Sequence, residues 1–584
     1  MLYLCTRFLW AAPIQLSTMG IYSQSYSIIS LLVAILRILL KAYPFVFFIY
    51  VVNSILTHSV PKLHVPIVHF STNFQIITGR IALITLLLLT LFNFVYISIF
   101  FTDRIPHTSA DAIGYSAQAK IFAQNKLYFP EPQFSEHFPI TSLLRYQNKW
   151  FSWYPFGYPL ILSIGYRIGM PWIIPPILGT LSVFFIFLLG RELYSQRVGF
   201  WSALILYSSP FFQMNSVDFM SHSASLLFAL ISTWLFIKTL KTGNRYLSLL
   251  CGISFGFLLN IRPYTTVFIA LPFVAYILYL LVKNWKQTIH KNFRLFFPMF
   301  MGALFMTLQY FLYNYMLLGD PFMSPYSFGN GGSFGFFDTR TVNNALQDVL
   351  AQLSVFDRVV LGWPLGLSFF FLIVYVLTPM IKKWELLFAA VILSLVGGYF
   401  FYRGSWMTYG PRYWYEIIPY FILLTVCGIE KLPQLLGRPH QREHVRRKWR
   451  KNIILSAYVV SITLVCFNLW NWLSAQKPSQ KSQDFAPINI GEMKNFNGAQ
   501  RILIDTVEEM KLRNSLIFVA PSLNWQSYGI PSYFMDISLQ GDIVYAQDLG
   551  DEKNKRLLGV YPHRSYFKAD YESGEVVSYP FDTF

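Results

Sequence analysis

The chain has 584 residues, of which 54% are hydrophobic and only 13% charged, where soluble domains carry about 25% charged residues. With a mean hydropathy of +0.44, that balance excludes an ordinary soluble enzyme and indicates a polytopic, all-α membrane protein. The formal net charge of +18 does not in itself require a nucleic acid, because basic residues also mark the cytoplasmic loops of membrane proteins.

Residues 1–77 read as an N-terminal, membrane-associated extension, in which Ala42–Thr57 is expected to be one span, an interfacial helix or part of an upstream extension. Ala42–Thr57 is apolar but short, and Arg37 and Lys41 interrupt the run before it. No short apolar core leads to a small-residue cleavage site, so no cleavable signal peptide is expected. From residue 80 onward eleven segments are nearly free of charge: 81–101, 171–190, 198–217, 219–237, 246–261, 263–282, 295–319, 359–381, 386–402, 413–429 and 452–475. Lipid offers the backbone no hydrogen-bond partner, so each is expected to be a helix, giving about eleven core spans within residues 78–475.

Charge orients them. With Arg80 in the cytoplasm, the inner loops (191–197, 238–245, 283–294, 382–385 and 430–451) hold 19 Lys and Arg against 4 Asp and Glu. The outer loops (102–170, 218, 262, 320–358 and 403–412) hold 11 against 9. The asymmetry follows the positive-inside rule, and the basic run from Arg442 to Lys451 needs no nucleic-acid partner. Loops 102–170 and 320–358 then share the extracytoplasmic face with the tail 476–584. That tail carries strand-like runs at Ser515–Ala520 and Asp542–Gln547 and is long enough for a small α/β domain. Tyr154–Gly169 is too short and too broken by Pro and Gly to span. Asn343–Arg358 places Leu346, Val349, Leu350, Leu353 and Phe356 at helical spacing. Both are expected to lie on the membrane surface.

The polar residues that composition leaves unexplained gather at outer helix ends. Asp111 opens an apparent helix in SADAIGYSAQAK, where it can be an N-cap or a functional carboxylate. Lys120 and Lys126 follow on the same helix and can face a phosphate. Asp218 and His222 stand four residues apart, a spacing that shares one helix face, and can position a substrate or a metal. No third ligand accompanies them, so a zinc site is not expected. Arg262 lies between two spans in LLNIRPYT. Arg403, Arg412 and Glu416 cluster in YRGSWMTYGPRYWYEIIPY. Arginine at membrane depth usually faces a cavity, and its fork suits phosphate. The glycine-rich stretch Gly329–Arg340 lacks phosphate-loop spacing and reads as an external lid. The four cysteines (Cys5, Cys251, Cys427 and Cys466) form neither a metal motif nor a disulfide framework.

Taken together, ADAIGYSAQA, YPFGYPLIL, GRELYSQRVGFWSALILYSSPFF, DFMSHS, GFLLNIRPYT, NYMLLGDPFMSPY and GPRYWYEIIPY occur in an order and a membrane placement that resemble the GT-C glycosyltransferases. The resemblance is to the superfamily of protein O-mannosyltransferases and aminoarabinose (lipid A) transferases. It implies a GT-C-like transmembrane domain over 78–475 with a small extracytoplasmic α/β domain behind it. It also implies a polyprenyl-phosphate sugar donor and inverting transfer to a glycan, lipid or protein acceptor on the outer face of the plasma (inner) membrane. Asp111 would be the general base, with Tyr115, Lys120, Asp218, His222, Arg262, Arg412 and Glu416 binding substrate. Many relatives carry two adjacent acidic residues where this chain has Ala110, Asp111 and Ala112, and often an aspartate where His222 stands. No cofactor is required if arginines neutralise the leaving phosphate, although Asp111 with Asp218 can hold Mg²⁺ or Mn²⁺. A lipid-linked saccharide transporter or a non-catalytic envelope-assembly protein are the alternatives. A transporter is expected to place ionisable residues deep within its spans, whereas here they gather at the ends.

Overall fold

Backbone that must satisfy its own hydrogen bonds in lipid becomes helix, and the computed structural model of the chain is built this way. It describes residues 72–579 apart from 107–108, 141, 284, 330–340, 364–366, 379–381, 401, 403–408, 436–442, 475–489, 495, 523 and 525. The extension before residue 72, most of the glycine-rich stretch, Arg403 and Arg442 lie outside the described residues.

Helix α1 (Thr72–Phe100) leads into the first long loop, which contains α2 (Ala110–Ala123), strands β1 (Phe129–Pro130), β2 (Leu143–Tyr146) and β3 (Lys149–Ser152), and α3 (Gly157–Arg167). The strands form a small antiparallel sheet in the order β1-β3-β2. Its hairpin turns on Gln147 and Asn148, with φ of 47° and 61°, the left-handed pair that a two-residue hairpin needs. Helices α4 (Ile174–Leu193), α5 (Gln196–Ser208), α6 (Pro210–Asn215), α7 (His222–Thr242), α8 (Arg245–Ile261), α9 (Pro263–Val282) and α10 (Trp285–Leu318) follow. After them come α11 (Pro325–Gly329), α12 (Val342–Val359), α13 (Phe370–Leu377), α14 (Lys383–Phe400), α15 (Ile418–Leu435) and α16 (Glu443–Leu473).

Among the described residues seven helices are long and apolar enough to cross a membrane, and Arg245–Ile261 is a shorter apolar one. Three of the eleven expected segments take another form. Segment 198–217 breaks at Ser209, whose extended backbone and side chain cap α6 by accepting from the Phe212 N–H, with Pro210 as the first helical residue. Among the described residues of segment 359–381, the helix beyond the end of α12 is the short α13. Segment 413–429 opens on a 3₁₀ turn, Arg412–Ile417, before α15 begins. The two expected surface helices are present as α3 and α12.

Small residues and buried amides hold the bundle together, because apolar side chains gain little by leaving lipid for protein. A Cβ on Gly252 of α8 would sit 1.9 Å from the Met299 carbonyl oxygen, and one on Gly302 of α10 would sit 2.6 Å from that of Leu249. Those two backbones therefore cross in direct contact. Gln213 on α6 accepts from Asn93 Nδ2 on α1 at 2.9 Å and from Trp472 Nε1 on α16 at 3.0 Å, tying three elements together. Helix α15 runs through the centre, with Tyr420, Phe421, Ile422, Leu423 and Leu424 all buried.

Beyond the bundle come α17 (Ile502–Glu509), β4 (Ser515–Val519), α18 (Gln526–Phe534), β5 (Ile543–Gln547), α19 (Asp551–Leu558), β6 (Ser565–Ala569) and β7 (Val576–Ser578). The sheet order is β5-β4-β6-β7, with β4 parallel to both neighbours and β7 antiparallel. Strand β4 is buried along its whole length, as a central parallel strand must be. This α/β unit does not stand apart: Leu503, Phe518 and Tyr533 share one hydrophobic core with Ile121, Phe138 and Trp150 of the first loop. His137 Nδ1 also lies 2.8 Å from the Gln547 carbonyl oxygen at the end of β5.

Candidate active site at the first-loop end of the bundle

Three breaks in regular structure bring the polar residues together. Helix α2 starts beside the α6–α7 turn, to which the Ser109 hydroxyl (Met220 Sδ, 3.4 Å) and the Tyr115 hydroxyl (Ser221 Oγ, 3.0 Å) attach it. Pro263 begins α9 and separates it from α8, leaving Arg262 in the gap with φ −143° and ψ 85°. Tyr409 and Gly410, at φ 60° and 126°, turn the chain into the 3₁₀ segment that carries Arg412 and Glu416.

Asp111 lies in the first turn of α2, but Ser109 holds the N-cap position. Asp111 is therefore not the cap. Its carboxylate instead pairs with Arg412, Oδ2 to Nη1 at 3.3 Å. The Arg412 guanidinium lies 5.2 Å from the centre of the Tyr413 ring, and its Nε is buried without a hydrogen-bond partner among the described residues. Arg262 flanks the same ring at 5.9 Å. Its Nε contacts Glu416 Oε1 at 3.4 Å and Thr265 Oγ1 at 3.2 Å, and its Nη1 is 3.2 Å from His222 Nδ1. Glu416 is fully buried, with His222 Nδ1 at 3.8 Å. Its carboxylate makes ion-pair contacts but no well-aligned hydrogen bond among the described residues. Six of the expected site residues, Asp111, Tyr115, His222, Arg262, Arg412 and Glu416, thus form one connected group.

Tyrosines wall this group, and sequence reasoning did not single out three of them. Tyr115 stacks on Tyr154 with ring centres 4.1 Å apart, Tyr154 adjoins Tyr326 at 6.0 Å, and the Tyr326 and Tyr402 hydroxyls are 3.4 Å apart. Tyr402 in turn meets Tyr413 edge-on at 5.1 Å. Burial raises the Tyr115 and Tyr326 phenols above their ordinary values, so both stay protonated donors at neutral pH. The signal was present in YPFGYP and MSPY, but tyrosine is so abundant here that its position in three dimensions was needed.

Two expected residues have other contacts. Asp218 is in the turn before α7, which begins at His222, so the two do not share a helix face. Its carboxylate is buried and accepts from the Phe219 N–H at 2.8 Å. Lys120 points away from Asp111 to the C-terminal end of α18, where it donates to the carbonyls of Ser532 and Met535 at 3.4 and 2.7 Å and also to that of Tyr533. A lysine there satisfies carbonyls that the helix leaves open. Burial pushes its ammonium down to about 7, with Asp536 opposing. Lys126 lies past the end of α2, over the Phe129 ring. No three His, Cys, Asp or Glu side chains among the described residues come together as a metal site.

Comparison with known proteins bears on the fold that carries this arrangement. Residues 155–312, from α3 into α10, match the family model described as dolichyl-phosphate-mannose-protein mannosyltransferase. That region contains His222 and Arg262 but not Asp111, Arg412 or Glu416. ArnT from Cupriavidus metallidurans, solved bound to undecaprenyl phosphate, is similar over 85% of this chain and 94% of its own, with 11% identity and a TM-score of 0.50. The chain has the GT-C glycosyltransferase fold. The apo form of that ArnT aligns with a TM-score of 0.49 over 82% of this chain and 92% of its own, at 11% identity. The Archaeoglobus fulgidus oligosaccharyltransferase, tethered to an acceptor peptide, aligns with a TM-score of 0.46 over 77% of this chain and 63% of its own, at 12% identity. No protein of curated function matches the sequence. In this GT-C fold, the first loop and the 3₁₀ segment before α15 close over the same end of the bundle, where α2 and that 3₁₀ segment meet through Asp111 and Arg412.

Proposed function

We propose that the protein transfers a sugar from a polyprenyl-phosphate donor to a hydroxyl-bearing glycan, lipid or protein acceptor on the extracytoplasmic face of the plasma (inner) membrane, with inversion. The observation that carries the reading is the Asp111–Arg412 pair, a partly exposed carboxylate and a mostly buried guanidinium at the end of an apolar bundle. At rest each neutralises the other. A phosphate entering with its lipid chain among the helices competes for Arg412, whose buried Nε has no hydrogen-bond partner among the described residues and whose fork matches phosphate oxygens. The Asp111 carboxylate is then released to accept a proton.

The steps balance as follows. The acceptor O–H gives its proton to Asp111 while its oxygen attacks the anomeric carbon opposite the phosphate. The carbon–oxygen bond to phosphate breaks, and the polyprenyl phosphate leaves with the electron pair and one more negative charge. Arg412 takes up that charge with Arg262 behind it across Tyr413, a placement that favours the transition state over the ground state. The tyrosine wall offers flat apolar faces and hydroxyl donors to a sugar ring. ArnT binding undecaprenyl phosphate supports a donor of this chemistry. Because the arginines supply the positive charge, no Mg²⁺ or Mn²⁺ is needed, and chelation by EDTA is expected to leave turnover unchanged.

The test is mass spectrometry of polyprenyl-phosphate sugars and envelope glycans in cells lacking the protein. One lipid-linked sugar should accumulate and one glycan, lipid or protein modification should vanish. Wild-type protein should restore both and Asp111→Asn neither. Restoration by Asp111→Asn, or unchanged lipid-linked sugars in the deletion, would overturn the proposal.

A further inference from the structure

A cavity of about 600 Å³ opens between the first loop, the start of α4 and the C-terminal α/β unit, lined by Arg104, Lys120, Arg167, Arg501 and Asp536 with Trp172 among its walls. It is not the Asp111 site: Lys120 stands nine residues further along α2, which places it about 13 Å away along the axis. Three arginines face one carboxylate beside Lys120, whose ammonium is spent on the carbonyls at the end of α18, and the charge of the arginines is only partly used. Arg501 is paired with Asp505 and Glu508. Arg167 donates to two neutral acceptors, the Phe122 carbonyl at 3.1 Å and Asn125 Oδ1 at 2.7 Å. Arg104 stacks on Trp172 at 5.3 Å, and its side chain has no hydrogen bond or ion pair among the described residues. Asp536 is occupied by Gln124 and Ser538. The chain is bent to present this arginine, with φ of 49° and 60° at Asp103 and Arg104, a conformation that costs about 1 kcal/mol or more per residue outside glycine.

The position of the cavity limits what can fill it. Pro171 and Trp172 begin the apolar segment 171–193, so the mouth lies at the level where that helix enters lipid. Leu160, Ile164, Ile168 and Met170 are exposed on and just after α3, an apolar strip on the helix that ends with Arg167. Arginine forks bind phosphate oxygens, and an apolar strip at the interface receives acyl chain. We propose that this cavity binds the phosphate headgroup of an anionic amphiphile whose chains lie along α3, at a site separate from the Asp111–Arg412 centre. The inference does not depend on the proposed transferase reaction.

The test uses the purified full-length protein in detergent, titrated by native mass spectrometry with dihexanoyl phosphatidic acid. Dihexanoyl phosphatidylcholine and inorganic phosphate serve as comparison probes. Phosphatidic acid should bind most tightly, and Arg104→Gln should weaken it on the order of tenfold, as expected for loss of a charge-assisted contact. Arg104→Gln with Arg167→Gln should weaken it further. Among the described residues the Arg104 side chain makes no hydrogen bond or ion pair and lies over the Trp172 ring, so its variant is expected to keep a Tm close to wild type and decides the matter even if the double variant unfolds. Repeating the titration on Arg412→Leu protein prevents binding beside Asp111 from masking the change. Wild-type phosphatidic acid affinity in Arg104→Gln protein would overturn the proposal. Equally tight phosphatidylcholine binding would do the same. Inorganic phosphate binding as tightly as phosphatidic acid, with the same dependence on Arg104, would assign the cavity to a free anion and remove the lipid.

Discussion

Asp111 and Arg412 are 301 positions apart in the chain and 3.3 Å apart in the fold. The breaks that place them, at Ser109 and at Tyr409–Gly410, are local, but the meeting itself belongs to the closed bundle. The pair separates the two roles that Asp111 can have. Ser109 occupies the cap position, so Asp111→Asn leaves the helix start intact. It removes the base, and general-base catalysis contributes about 10²–10⁴-fold. The expected outcome is a loss of about 100-fold or more in sugar transfer, with unchanged Tm and unchanged donor binding. Near-wild-type transfer by the Asn variant would leave Asp111 without a catalytic role.

The two arginines are expected to fail in different ways. Arg412→Leu frees a carboxylate that is one-third exposed, and water can solvate it. Donor affinity and turnover should fall on the order of tenfold or more while the fold persists. Arg262→Leu strands Glu416, whose side chain is fully buried. Removing one partner of a buried pair costs about 3–5 kcal/mol, so a large drop in detergent Tm is expected before any effect on turnover can be read. Adding Glu416→Gln to Arg262→Leu should recover part of that Tm. No recovery would mean that the Arg262–Glu416 contact does not carry the stability.

Lys120→Met should loosen the C-terminal α/β unit without touching the chemistry. The Ser532, Tyr533 and Met535 carbonyls lose their donor, and buried polar groups left unpaired cost about 1–3 kcal/mol. Faster hydrogen exchange is expected in α18 and α2, with the Asp111 region of the bundle unchanged. A uniform exchange pattern would show that Lys120 does not hold the two together.

Topology can be read by cysteine labelling in a background without Cys5, Cys251, Cys427 and Cys466. The first loop and the α/β unit share one core, so they must lie on one face. The positive-inside rule predicts that this face is the outer one. A cysteine at the exposed Gln147 or Glu552 should react with an impermeant maleimide in intact cells, and one at His444 only after permeabilisation. The reverse pattern would invert the orientation and move the proposed site to the cytoplasm.

The sequence by itself determined which segments become helix, because lipid forces apolar backbone into helix, but not every boundary, since segments 198–217, 359–381 and 413–429 break or open differently. Segments 263–282 and 246–261 needed no tertiary information, and neither did the strands at 515–519 and 543–547. The surface helices α3 and α12 were legible from length, breaks and spacing. Composition could not distinguish the central helix α15 from a lipid-facing span, since a helix apolar all round reads the same whether protein or lipid covers it. Nor could it distinguish the partners of polar residues. Asp218 and His222 are close in sequence, yet the helix begins between them, and His222 faces Glu416 and Arg262 from two other elements. Lys120 and Asp111 share one short helix, yet one caps α18 and the other meets Arg412. Local periodicity fixes which way a side chain leaves its own helix. What it then meets depends on contacts hundreds of residues away, and those exist only once the glycine faces of α8 and α10 have closed and the first loop has docked on the C-terminal sheet.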